Sequence, residues 1–320
     1  MVVQQRSLKR TCSNAVKIAG PVLVLLGAFP ACSVSDDSTF GRWERYRSGG
    51  RFIGASPVMS RDGSSVVYSS PRSGHGDIYN FVREGKRAGT VRLTLDPNYE
   101  GDPQLSADGG KIVFVREQSG VGHIWIMKSD GADQRQLTAG AENDSGPSFS
   151  PEGNKILFSR RVRSWKFVPG TAASSELYVM NADGSEQTRL TNNEVADWEA
   201  SFSPDGRRIL YSVWSRELYV ADTRVSKPTR LGVGSAPAFS PDGKRIVFMS
   251  GEFGRSISIM NDDGTDVKKV YHSQTYKSHP SFCLGGSHIL FLDEPESRGT
   301  GNIRMLKLSD GTVTTITSTE

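Results

Sequence analysis

Phe202-Ser203-Pro204-Asp205-Gly206-Arg207-Arg208-Ile209-Leu210-Tyr211 packs a short apolar segment, a tight-turn signal and a second apolar segment into one phrase. Asp-Gly tolerates the positive φ angles that a two-residue hairpin turn demands, so the phrase predicts two antiparallel strands back to back. Related phrases begin at Pro57, Pro103, Pro147, Ala200, Pro237 and Pro280, spaced 37 to 53 residues apart. A period near forty signals stacked supersecondary units rather than a two-layer domain.

Each unit divides into four short strands, here a to d. Strand a carries Phe149, Phe202, Phe239 or Phe282, with Met59 and Leu105 in the first two units. The turn after it is Asp62-Gly63, Asp108-Gly109, Glu152-Gly153, Asp205-Gly206 or Asp242-Gly243, and Gly285-Gly286 in the sixth unit. Strand b is Val66-Val67-Tyr68, Ile112-Val113-Phe114, Ile156-Leu157-Phe158, Ile209-Leu210-Tyr211, Ile246-Val247-Phe248 and Ile289-Leu290-Phe291. Unbroken apolar triplets imply burial on both faces of the sheet. Strand c contains Ile124-Trp125-Ile126-Met127 or Leu177-Tyr178-Val179-Met180, with counterparts at Ile78, Leu218, Ile257 and Ile303. Strand d is Arg92-Leu93-Thr94, Gln136-Leu137-Thr138 or Arg189-Leu190-Thr191, and reads as degenerate at Arg230-Leu231 and Val270-Tyr271. The expectation is an all-β, six-bladed β-propeller of four-stranded antiparallel blades.

The phrases Phe202-Ser203-Pro204-Asp205-Gly206, Phe239-Ser240-Pro241-Asp242-Gly243 and Met180-Asn181-Ala182-Asp183-Gly184 resemble the repeat of TolB-type β-propellers, over roughly residues 43–320. The same repeat serves periplasmic scaffolds and the non-catalytic propellers of some serine peptidases, so the likeness is specific for fold and says less about function. TolB carries a smaller α/β domain ahead of its propeller, and the expectation here is a TolB-like chain without one. Thr312 to Thr317 can supply a strand d for the last blade, and Trp43 to Arg47 falls where a strand d would precede the first unit. Both are expected in the closing blade.

Residues 1–31 hold Arg6, Lys9, Arg10 and Lys17, no acid, and an apolar run from Ile18 to Ala31 broken by Gly20, Pro21 and Gly27. That run is too short to span a bilayer, and the pattern is that of a signal peptide. Ala28-Phe29-Pro30-Ala31-Cys32-Ser33 resembles a bacterial lipoprotein signal, with Phe29 and Pro30 departing from its usual residues. The expected organisation is signal peptide 1–31, cleavage before Cys32 with a lipid on Cys32, linker 32–42 and propeller 43–320; ordinary secretion is the alternative. Ser33 rather than Asp after Cys32 points to the outer membrane by the sorting pattern of enteric bacteria.

The whole chain has 39 Lys plus Arg against 35 Asp plus Glu, and its +4 net charge is contributed by the four leader cations. A neutral body without a basic stripe lacks the footprint of a nucleic-acid binder. Of three cysteines, only Cys283 falls in the repeats, where it replaces Ser60, Ser106, Ser150, Ser203 and Ser240 and reads as a packing residue. No Gly-x-Ser-x-Gly elbow occurs, and the five histidines form no His-x-x-x-His pair, so no catalytic residue, metal or cofactor is expected. The turns Asn181 to Glu186 and Asn261 to Asp266 are acid-rich but lack an EF-hand's ligand pattern.

Differences among the units locate the working face, because loops carry function on a repeated scaffold. From strand b to strand c the step is 19 residues in the third unit and 7 to 12 elsewhere. The extra segment, Arg160 to Ser175, contains Arg160, Arg161, Arg163, Trp165, Lys166 and Phe167, the residue types of interface hot spots. Strand alternation puts this loop on the same face as the d-to-a connections. Those carry Asp96, Glu100 and Asp102; Glu142 and Asp144; Glu194, Asp197 and Glu199; with Tyr99, Trp198, Tyr276 and His279 among them. Asp102, Glu199 and His279 are expected nearest the channel mouth. The face is thus expected to bind an envelope protein or peptide, as the resemblance to TolB and its partner lipoprotein implies, in a monomeric protein. The alternatives are an envelope hydrolase or lyase acting on saccharide or peptide at the channel, and a spacer without a ligand.

Overall fold

The computed structural model describes residues 56–85, 88–162, 174–193, 195–214, 216–294 and 301–318. All lie in one compact unit, Arg45–Glu320. The leader, Cys32, Trp43 to Arg47, Arg163, Trp165, Lys166, Phe167 and Glu194 fall outside the described residues.

Among the described residues the secondary structure is strands and three short 3-10 turns. Blade 1 comprises β1 (Val58–Met59), β2 (Ser65–Ser70), β3 (Asp77–Val82) and β4 (Gly89–Arg92), and blade 2 β5 (Glu100–Leu105), β6 (Lys111–Gln118), β7 (Val121–Lys128) and β8 (Arg135–Gln136). Blade 3 has β9 (Asp144–Phe149), β10 (Lys155–Val162), β11 (Ser174–Asn181) and β12 (Thr188–Arg189), and blade 4 β13 (Asp197–Phe202), β14 (Arg208–Val213), β15 (Glu217–Asp222) and β16 (Thr229–Val233). Blade 5 has β17 (Ser235–Phe239), β18 (Arg245–Ser250), β19 (Ser256–Asn261) and β20 (Lys268–His272), and blade 6 β21 (Tyr276–Cys283), β22 (His288–Glu294), β23 (Asn302–Lys307) and β24 (Val313–Ser318). Each blade is a four-stranded antiparallel sheet in sequence order. The protein is the expected six-bladed β-propeller.

The strand b triplets form its core. Val66, Tyr68, Ile112, Val113, Phe114, Ile156, Leu157, Phe158, Leu210, Ile246, Val247, Ile289, Leu290 and Phe291 are buried completely or within 1% of it. Successive residues serve opposite seams: Val67 packs with Ile112 and Phe114 between blades 1 and 2, whereas Val66 and Tyr68 pack with Leu290 and Leu292 of blade 6. Six such clusters, one per seam, hold the ring together. Each buried side chain of this size is worth about 1.5–3 kcal/mol of transfer free energy. The closing seam is of the same kind: Cys283, Leu290, Leu292, Ile303 and Met305 of blade 6 against Val66, Tyr68 and Tyr79 of blade 1. All four described strands of blade 6 come from its own repeat.

The a-to-b turns are fixed by serine. Ser60, Ser106, Ser203 and Ser240 donate to the turn aspartate two residues on, at 2.5–2.6 Å, and accept the backbone N–H five residues on, at 2.9–3.0 Å. These bonds hold Asp62 near pKa 2 and lower Asp108, Asp205 and Asp242 as well. Cys283 makes no such turn: Leu284–Gly286 is a 3-10 turn instead, and burial pushes the thiol up to about 12.

Strand d departs from expectation. β8 and β12 have two residues each, while β16 and β20, read as degenerate, have five. In blades 1 to 3 a threonine hydroxyl, of Thr94, Thr138 or Thr191, accepts the N–H of Ile78, Ile124 or Leu177 at 2.9–3.0 Å in place of a backbone carbonyl. The side chain ends the ladder there. Blades 4 and 5 lack this threonine, and pairing continues to Glu217–Val233 and Ser256–His272.

Candidate binding face

The inner strands of blades 2 to 6 share one irregularity. Register shifts interrupt the a–b ladder at Asp102, Gly146, Glu199, Ala236 and His279, each with φ between +48° and +56°. Four of these bulge residues precede proline, whose missing N–H means the interrupted ladder loses no donor. Left-handed backbone at non-glycine residues is costly and concentrates where a side chain must be re-aimed. Two of these side chains bridge blades. Asp102 Oδ1 accepts the Ser56 hydroxyl of blade 1 at 3.1 Å, and its Oδ2 accepts the Gly146 N–H of blade 3 at 3.3 Å. Glu199 Oε2 accepts the Ala236 N–H of blade 5 at 2.7 Å and the Ser212 hydroxyl at 2.6 Å. Side chains with an acid or imidazole occupy blades 2, 4 and 6; Ser56, Gly146 and Ala236 occupy the odd blades. Asp102, Glu199 and His279 are all half-buried.

Two residues earlier in each strand lies a different layer. Glu100, Asp144 and Asp197 are buried, at 0–1% exposure, inside the blades rather than on a concave surface. In the ladder, Glu100 stands opposite Arg116 and Asp144 opposite Arg160. Arg116 donates from Nε to Glu100 Oε1 at 2.7 Å, and Arg160 donates to both oxygens of Asp144 at 2.7 and 2.8 Å. Both guanidinium groups also stack on aromatic pairs, Phe114 with Trp125 and Phe158 with Tyr178. Blade 6 inverts the charges, with buried Lys277 at 2.6 Å from Asp293. Asp197 has no such cation, because Val213 stands opposite it; it accepts from Asn193 Nδ2 at 2.8 Å and lies near Glu176. Burial pushes Asp197 up to about 6 and Glu100 to about 7, with Thr94 and Arg116 pulling Glu100 the other way.

The aromatic residues rim the face at the seams. Tyr99 and Tyr276 lie on the b-to-c loops of the preceding blades, where a Cβ at Gly76 or Gly254 would come within 2.5 or 2.9 Å of the ring. Burial raises the Tyr99 hydroxyl, with Asp102 adding to it. Trp198 and Trp214 form a tilted pair 5.7 Å apart at the mouth of blade 4. Glu142 and Arg161 are exposed at the neighbouring mouth of blade 3.

Two placements correct the loop reading. Arg160, Arg161, Ser174 and Ser175 belong to the β10–β11 hairpin, with Arg161 opposite Ser175, so the insertion is shorter than Arg160 to Ser175. Arg160 thus serves Asp144, a role visible in sequence only by counting both strands back from the turn at Gly153. Arg116, Lys277, Trp214 and Val233 were not singled out in the sequence at all. Arg116 could have been, since it lies two residues past the Phe114 triplet as Arg160 does past Phe158.

This is a six-bladed β-propeller whose inner strands present bridging polar side chains at one mouth. The chain is similar to TolB-type propellers: the PD40 family, described as a TolB beta propeller domain, matches residues 47–169. The Tol-Pal system protein TolB of Francisella tularensis subsp. mediasiatica is 26% identical over 259 residues, covering 76% of this chain and 57% of that one. The uncharacterized peptidase YuxL of Bacillus subtilis is 26% identical over 202 residues, 60% of this chain and 28% of that one. The chain therefore spans between about a quarter and just over half the length of these curated relatives. The crystal structure of TolB from Acinetobacter baumannii superimposes with a TM-score of 0.64 at 18% identity, covering 79% of this chain and 63% of that one.

Proposed function

We propose that this protein is an exported, periplasmic propeller, anchored to the outer membrane through a lipid on Cys32, that binds an envelope protein or peptide on its mouth face. The observation that carries this reading is the likeness to TolB of Francisella tularensis across three quarters of the chain. The rigid ring supports it, since a preorganised frame loses little entropy when its loops engage a partner.

The enzymatic alternative draws on the peptidase relative, and would be strengthened by two perturbed carboxylates converging at one opening. The two most raised acids, Glu100 and Asp197, lie in different blades and are fully buried. Among the described residues no group of three His, Cys, Asp or Glu side chains is placed to hold a metal ion. The separation of the two raised acids favours binding over turnover.

The test is affinity capture from solubilised envelopes, comparing the parent with a variant carrying Asp102→Asn, Glu199→Gln, Glu142→Lys and Arg161→Glu, all at half-buried or exposed positions. A protein recovered by the parent and lost by the variant is the expected result; identical recovery by both sinks the reading. The anchor has its own check. Radiolabelled palmitate should enter the wild type and not Cys32→Ser, which should fractionate as soluble periplasmic protein.

A further inference from the structure

Of the large apolar side chains exposed among the described residues, Val195 (42%), Trp214 (41%) and Val233 (61%) converge on the mouth of blade 4. Backbone bonds knit their three segments together: the Trp214 N–H donates to the Ala196 carbonyl at 2.9 Å, and the Gly234 N–H donates to the Arg216 carbonyl at 2.7 Å. Val233 is paired in the ladder with Glu217, and the Trp214 ring leans on Trp198. Solvent-exposed aromatic and aliphatic groups gathered in this way mark interaction surfaces more often than solitary exposed residues do.

The charge beside the patch is uneven. Arg230 pairs with Glu217 at 2.6 Å, while Arg216 donates from Nη2 to the Gly251 carbonyl at 3.1 Å, which turns its guanidinium toward blade 5. Glu199, the neighbour of Trp198, receives both of its hydrogen bonds on Oε2, and among the described residues none reaches Oε1. An apolar surface therefore adjoins one carboxylate oxygen open to a donor.

We propose that the mouth of blade 4 receives an extended polypeptide segment of a partner, whose apolar side chain covers Trp214 and Val233 while a nearby Lys or Arg reaches Glu199. This rests on the mouth-face binding reading and adds the chemistry of the partner. The flanking valines distinguish it from a saccharide site, because a sugar stacked on Trp214 would meet methyl groups where its hydroxyls require hydrogen-bond partners.

The experiment uses the full chain as bait for a random twelve-residue peptide display library, then measures a selected synthetic peptide by tryptophan fluorescence. Selected peptides should be enriched in an aromatic or aliphatic residue within three positions of Lys or Arg. Affinity should fall at least tenfold in Trp214→Ser and in Val233→Lys. In Glu199→Gln it should fall several-fold, with loss of its salt dependence. Val233→Lys, at an exposed strand end, guards against misfolding of the tryptophan variant. Peptides without this pattern, an empty selection, or binding indifferent to Trp214 and Val233 would each overturn the proposal. So would binding of an oligogalacturonide that competes for the same site. Partner capture lost in the Asp102, Glu199, Glu142 and Arg161 variant but intact in Trp214→Ser leaves the mouth-face function standing and removes this inference alone.

Discussion

At the scale of the residue, Asp197 is the outlier among the acids of the inner strands. Glu100 and Asp144 each face an arginine, while Asp197 faces Val213 and sits near Glu176. Its folded pKa of about 6 lies above the ordinary value of 3.8 for a free aspartate carboxyl. The native state therefore holds this proton more tightly than the unfolded chain between pH 4 and 6, and its contribution to stability is lost as pH rises through that window. At about 1.4 kcal/mol per pKa unit, the charged acid costs up to about 3 kcal/mol at neutral pH. Asp197→Asn should stabilise the protein by about 1–3 kcal/mol in urea titrations at pH 8 and by less than about 0.5 kcal/mol at pH 4; equal effects at both pH values would refute the assignment. The acid itself was legible in the sequence, its burial was not. Glu100, Asp144 and Asp197 read as loop residues because no apolar triplet surrounds them, whereas the ladder begins at these very carboxylates. What hides them is a cross-strand partner about sixteen positions away, which no local pattern reveals.

At the scale of the element, the threonine that closes strand d shows how one hydroxyl sets a strand's length. Thr191→Val keeps the shape but removes the acceptor for the buried Leu177 N–H, and leaving such a donor unsatisfied costs about 1–3 kcal/mol. Thermal denaturation should register a loss of that size, while Thr191→Ser retains most of the wild-type stability; equal melting of the valine and serine variants would argue against the hydroxyl's role. Strands a to c were readable because triplets and Asp-Gly turns carry their own physics. The length of strand d was not, since in blades 4 and 5 Gly232 and His272 have no apolar signature and are held by the outer ladder alone. The bulges were equally hidden: Asp102-Pro103 and His279-Pro280 read as entry loops, although proline at an inner edge is also what a bulge tolerates.

For the whole molecule, the six seams are built alike, and this governs how the ring fails. Leu290→Ala in the closing seam and Leu210→Ala in the seam of blades 4 and 5 should each cost about 2–5 kcal/mol, because both side chains are completely buried among neighbours of the same kind. Calorimetry should show one cooperative transition in both variants. A separate low-temperature melt of blades 1 and 6 in Leu290→Ala would mean that closure is weaker than the rest. The sequence made the six units and their order plain, but the mode of closure depended on which side chains of the first and last units meet, information that only the assembled ring contains. Blade 6 also draws its four described strands from one continuous repeat, and this has a bearing on heredity. In a ring closed by a strand borrowed from the other end of the chain, duplicating a stretch of gene must be phased against that borrowed piece. Here any in-frame copy of one repeat encodes a whole blade with two matching faces, so unequal recombination can lengthen or shorten the ring by complete units without leaving an orphaned edge.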